Sequence, residues 1–250
     1  MNIQRTFALV KLELRKIIRE PAYLFLMILF PAALTLVFGL AFGTVASTVP
    51  GKSQFDFMVP GLFAYACIFI IMIVGQTFSD DREKGLLQRI NLTPTTSSEF
   101  MESHLISNTI LSTLQLATVG ICAVLIGYRP EGGIGGFTVA FLLMMVLSVC
   151  SVGFGLIVAT VSKSNGVATG MSFLFILPQM FFGTIIPLSA TTKIFAQFLP
   201  SYYVTDAITK IFNGTSLTDL GIWISLGIVS LMGILIVLIG IKLFKKFGSK

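Results

Sequence analysis

FMVPGLFAYACIFIIMIVGQTFSDDREK, residues 57–84, joins two kinds of chain that want different solvents. Residues 57–78 hold no Lys, Arg, Asp or Glu, and then Asp80, Asp81, Arg82, Glu83 and Lys84 follow without a gap. About 20 apolar residues cross about 30 Å of hydrocarbon at roughly 1.5 Å per residue. The apolar part therefore reads as a transmembrane helix, and the charges mark where it meets water.

The rest of the chain repeats the first half of that pattern. It has 250 residues, 55 % of them hydrophobic, only 11 % charged, and a mean hydropathy of +0.93. A soluble domain is roughly a quarter charged, so this chain has too little polar surface to cover a globule in water. Six apolar segments stand out, at 21–47, 57–78, 103–128, 136–161, 167–187 and 218–241, and Asp219 is the one Lys, Arg, Asp or Glu among them. The expected fold is an all-α polytopic membrane protein with six transmembrane helices. The first apolar run begins only at residue 21 and exceeds the roughly 7–15 residues of a signal-peptide core, so no cleavable leader is expected. Cys67, Cys122 and Cys150 lie in apolar runs without metal-ligand spacing and read as small hydrophobes.

Lys and Arg set the orientation. With the N-terminus inside, the inner segments hold 13 of the 17 basic residues, and the outer ones hold only Lys52, Arg129, Lys193 and Lys210. Both termini are expected in the cytoplasm and the protein in the cell membrane. Residues 188–216 are semi-apolar, but a seventh span there would carry the basic tail KLFKKFGSK outside. Two short helices split by Pro200 fit better, as a re-entrant segment at the outer face, with Tyr202 and Tyr203 at interfacial depth.

Residues 1–20 form a separate element. Ile3, Phe7, Val10, Leu14, Ile17 and Ile18 share one helical face, and Gln4, Arg5, Lys11, Arg15, Lys16 and Arg19 share the other. Such a basic amphipathic helix lies in the membrane interface, and Pro21 ends it before the 21–250 transmembrane domain.

Candidate chemistry is sparse. ASTVPGKS (46–53) nearly matches a phosphate-binding loop, but Ala46 stands where that motif needs glycine, so it reads as a turn. No other nucleotide site is present, so the chain is not expected to be an enzyme by itself. Chargeless spans argue against a proton- or ion-coupled carrier. Gln76, Gln115 and Gln179 are polar groups at depth that line a solute pathway or bond neighbouring helices. His104, with no second His or Cys at ligand spacing, reads as an interfacial polar residue, and no metal site is expected. Gly39/Gly43 and Gly166/Gly170 form GxxxG patterns that allow close helix contact. Pro31 and Pro178 are expected to kink their spans.

The charged stretch itself is expected to form a short cytoplasmic helix over about 80–91. Ser79 or Asp80 caps it, and Asp80 with Glu83 has capping-box spacing. Acids at its start and Arg89 near its end complement the macrodipole. Ser97 or Ser98 starts the next helix, with Glu99 and Glu102 in its first turn.

Four features together resemble the type-2 permeases of ABC transporters, over nearly the whole chain. They are the basic amphipathic helix, DDREKGLLQRINLTP between spans two and three, FFGTIIPL ending span five, and LPSYYVTDAITKIF before span six. The resemblance implies two membrane subunits and two ATPase subunits per transporter. It implies that Asp81, Arg82, Glu83, Lys84, Gly85 and Gln88 belong to an ATPase-coupling helix, although many members carry an acid where this chain has Gln88. It further implies that Pro200, Tyr202, Tyr203 and Asp206 belong to an outer gate. The implied partners are an ABC ATPase subunit, which holds ATP and Mg, a second copy of this chain or a homologous permease, and the lipid bilayer. No nucleic acid and no cofactor of the chain's own are expected. The implied function is outward movement of an amphipathic or hydrophobic compound such as a drug, antibiotic or lipid-like molecule. Export of a lipid-linked glycan is the alternative, and an ATP-independent carrier or channel a remoter one.

Overall fold

The computed structural model describes residues 3–47, 49–86, 92–93, 95–185 and 189–247. Among them the fold is built of helices alone, with one isolated bridge between Ala46 and Ser53. Five helices are long and apolar enough to cross a bilayer.

The first helix, α1 (Ile3–Arg19), lies against α5 (Ser97–Ile126). Thr6, Val10, Glu13 and Ile17, three to four residues apart, form its buried stripe, while Ile3, Phe7 and Ile18 are exposed. The apolar face expected from the sequence is thus divided. Part of it packs on protein, and the rest points outward at the edge of the bundle.

Residues 21–42 are helical throughout, as α2 (Pro21–Leu24), a π turn (Phe25–Leu29) and α3 (Phe30–Phe42). The apolar helical part of this run, Met27–Phe42, is shorter than the five candidate spans. Pro31 has no N–H to bond the carbonyl four residues earlier, and the wider π turn precedes it. Helix ends before the expected residue 47. The near-phosphate-loop then turns through Gly51, and its Ser53 caps the next helix. The Asp56 N–H donates to Ser53 Oγ at 3.3 Å, and the Ser53 N–H donates to Asp56 Oδ2 at 2.7 Å. That reciprocal pair removes two orphan donors and is a capping box.

The central helix is α4 (Gln54–Glu83), apolar on all sides and buried along most of its length. It is surrounded by α5, α6 (Gly133–Val161), α7 (Asn165–Met180) and α9 (Pro200–Phe212). The last helix, α10 (Leu220–Phe247), packs chiefly on α6 and exposes a broad apolar flank of Ile224, Leu231, Ile234, Leu235 and Leu238. Such a flank is at home only in an apolar solvent. Among the GxxxG glycines, Gly39 is backed by Ile126 of α5, whereas nothing lies within 4 Å of a Cβ at Gly166 or Gly170.

α7 carries Pro178 and runs into a second π turn, Phe181–Ile185. Then come the two short helices, α8 (Ala190–Ala196) and α9, separated just before Pro200 as expected.

Candidate functional site

Charge collects at one end of the bundle, where α1, the end of α4, the start of α5 and the α6–α7 turn meet. Asp80 to Glu83 do not open a new helix there. They are the last turn of α4, and the chain breaks at Lys84 and Gly85, where Gly85 takes φ +70°. The helix continues past Ser79 because nothing stops it before a residue free to adopt the left-handed conformation. Residues 87–91, including Gln88 and the last five residues of the expected short helix, lie outside the described residues.

Each candidate coupling side chain has a different neighbour. Asp81 turns inward and is 1 % exposed. It accepts a hydrogen bond from Lys16 of α1. Arg82 Nη1 donates to the Thr160 and Ser162 carbonyls at 3.3 and 3.4 Å. Glu83 Oε1 accepts from the Asn165 N–H at 2.8 Å, meeting the first turn of α7. Lys84 pairs with Asp80 at 2.6 Å and with Glu20 at 3.5 Å. These contacts tie the end of α4 to α1, to the end of α6 and to the start of α7. The following helix is capped by Thr96, one residue ahead of the expected serines, with Glu99 closing its capping box.

Inside the same end sits a cluster that the local sequence patterns did not reveal. Glu13 (α1), Asp81 (α4) and His104 (α5) are buried together, with Lys16 at their edge. His104 Nε2 lies 3.5 Å from Glu13 Oε1 and 3.7 Å from Asp81 Oδ2. Lys16 Nζ lies 3.6 Å from Glu13 Oε2. Burial pushes the Glu13 carboxyl above its ordinary range, against the pull of the Lys16 charge. The His104 ring is walled by Phe100 at 4.6 Å and Phe78 at 5.1 Å, and Phe244 of α10 packs edge-on to Phe78. His104 is therefore a core residue with no exposed surface. One signal was present in the sequence: Glu13 falls in phase with Val10 and Ile17 on the stripe that α1 buries.

The opposite end holds the expected gate residues. Pro200 opens α9 at its first position, where a missing N–H costs nothing. Tyr202 and Tyr203 are half-buried and pack edge to face at 5.2 Å, and the Tyr203 hydroxyl donates to the Gln197 carbonyl. Asp206 pairs with Lys210 at 2.7 Å and holds that ammonium above its usual range. Ser201 Oγ donates to the Gln179 carbonyl, which seats α9 on α7. The seat exists because position 183 is glycine: a Cβ there would lie 2.0 Å from Ser201 Oγ. Lys52 joins three loops at this end, bonding Asn213 at 2.8 Å and Glu131 at 3.0 Å.

The three glutamines do not converge. Gln76 Nε2 donates to Thr169 Oγ1 of α7, Gln115 Nε2 to the Ala66 carbonyl of α4, and Gln179 Nε2 to the Phe175 carbonyl in its own helix. The first two are interhelical ties.

The ABC-2 type transporter family profile matches residues 4–213, which includes the cluster, the end of α4 and the α8–α9 segment. The chain is also similar to the daunorubicin resistance ABC transporter permease protein DrrB1 of Streptomyces coeruleorubidus. They are 23 % identical over 214 residues, covering 81 % of this chain and 71 % of that protein. A profile match over most of the chain, on a bundle of long apolar helices, places it: the chain belongs to the ABC-2 type transporter family and is a multi-pass membrane subunit of an ABC transporter.

Proposed function

We propose that this subunit is the permease of an exporter that moves an amphipathic or hydrophobic compound outward, driven by ATP and Mg held on a separate ATPase. The observation that carries this reading is the bonding at the end of α4. A force on Glu83, Lys84 and Gly85 reaches α1 through Glu20 and Lys16, α6 through Arg82, and α7 through Asn165. These contacts suit a lever that passes the closing motion of an ATPase to several helices at once. Gln88 and its neighbours would complete the docking surface.

In this reading six segments cross the cell membrane. The helical run from Pro21 to Phe42 makes the first crossing, being about 33 Å long at 1.5 Å per residue. Both termini lie in the cytoplasm, and the re-entrant α8–α9 segment gates the outer face. A second copy of this chain or a homologous permease completes the pathway. A drug-like cargo is preferred over a lipid-linked glycan because the relative's name is that of a drug-resistance permease.

The test is reconstitution of the chain with an ABC ATPase encoded beside it. ATP hydrolysis that depends on both subunits, with uptake of a fluorescent amphipathic drug into inside-out vesicles, is expected. Drug movement by this chain alone, without ATP, would overturn the reading.

A further inference from the structure

We propose that Glu13, Asp81 and His104 form a binding site for a divalent transition-metal ion of the zinc class, which clamps α1 to α4 and α5. One ligand atom from each residue lies within 4.8 Å of the others, and all three side chains are buried. Lys16 takes Asp81 Oδ1 and approaches Glu13 Oε2, so the second oxygen of each carboxylate is left facing His104 Nε2.

The separations decide between a hydrogen-bonded cluster and a metal site. Nε2 is 3.5 Å from Glu13 Oε1 and 3.7 Å from Asp81 Oδ2. Both exceed the roughly 2.7–3.2 Å of an N–H···O hydrogen bond. Two ligands bound at about 2.0–2.1 Å to one tetrahedral zinc lie about 3.3–3.4 Å from each other. The two separations at His104 are thus close to those of ligands that share one ion.

Hydrogen-bond accounting agrees. Both ring nitrogens of His104, both oxygens of Glu13 and Asp81 Oδ2 are buried and make no hydrogen bond. A buried polar group left without a partner is destabilising. A single ion would satisfy one atom from each of the three residues.

Charge sets the role of Lys16. Two carboxylates share one ammonium here. Lys16 is 20 % exposed and lines a groove of about 670 Å3 with Lys11, Arg15, Arg19, Glu20 and Leu86. That groove gives the Lys16 head room to withdraw, which would leave one dication with two carboxylates. One imidazole with two carboxylates suits zinc, and manganese less tightly by the Irving–Williams order.

The test uses the full chain in detergent without any ATPase, so it stands apart from the transport reading. Zinc chloride titrated into the metal-free protein is expected to bind one ion per chain. His104→Ala and Glu13→Gln should each weaken binding by about 100-fold or more, beyond the roughly 10–100-fold known for loss of an outer partner of a ligand. Lys16→Met should bind zinc more tightly, an effect that a purely structural ion pair would not produce. X-ray absorption on the wild-type zinc complex should show one imidazole and no sulfur, and because this chain has a single His that signal is unambiguous. No stoichiometric binding, equal binding by the His104→Ala variant, or sulfur ligation from the cysteines would each overturn the proposal.

Discussion

Two lysines make the same kind of ion pair with different consequences. Lys16 meets buried Asp81 and Glu13, whereas Lys84 meets Asp80 and Glu20 with its own side chain 60 % exposed. Losing one partner of a buried pair strands the other's charge and costs about 3–5 kcal/mol. An exposed pair contributes at most about 1 kcal/mol. Lys16→Met is therefore expected to lower the unfolding midpoint of the metal-free protein sharply, and Lys84→Met to leave it nearly unchanged. Thermal unfolding of the two variants side by side checks this. Equal losses would mean that Asp81 is as wet as Lys84.

Between elements, close approach of backbones decides which glycines matter. Gly183 sits where α9 presses on the turn after α7. Its alanine variant would place Cβ 2.0 Å from Ser201 Oγ and 2.7 Å from Ser201 Cβ. Because Ser201 is in the first turn of α9, the clash cannot be relieved by a side-chain rotation alone. Gly183→Ala is expected to push α9 off its seat, break the Ser201–Gln179 bond and raise amide exchange across Pro200–Phe212. Gly170→Ala meets nothing within 4 Å. It should be neutral or stabilising by up to about 1 kcal/mol, since alanine is the better helix former. Amide exchange that is alike in the two variants would refute the seating argument. The N-caps belong to this scale too. Ser53→Ala and Thr96→Ala remove capping boxes and should each cost about 1 kcal/mol, measurable by chemical unfolding.

For the whole molecule, the proposed lever makes a prediction about coupling. Gly85 has φ +70°, which proline, locked near −65°, cannot adopt, so Gly85→Pro redirects the chain leaving α4. Glu83→Lys replaces the acceptor of the Asn165 N–H with a cation. Both variants should insert normally and lose ATPase stimulation and export together. Full transport by both would remove the lever from the mechanism. Much of this architecture was legible in the chain. Runs such as 57–78 and 136–161 are long, chargeless helices because a bilayer demands that length and composition. Pro200 split its segment because proline cannot continue a helix, whereas the caps fell elsewhere than expected: Ser79 and Asp80 lie inside α4, and Thr96 rather than Ser97 or Ser98 caps α5. The charged stretch was legible as an end of something, and its first residues, Asp80 to Glu83, are the tail of α4. The direction of Asp81 was not legible. A helix apolar on every side has no polar face to show which way its last turn points. The pairing of residue 16 with residue 81, 65 positions away, follows from how α1 lies on the bundle. So the sequence by itself determined the kind of element, long apolar helices able to cross a membrane, through the local physics of length and charge. Only the tertiary structure decided that Glu13, Asp81 and His104 meet, because three packed helices, and no local pattern, bring them to one buried point.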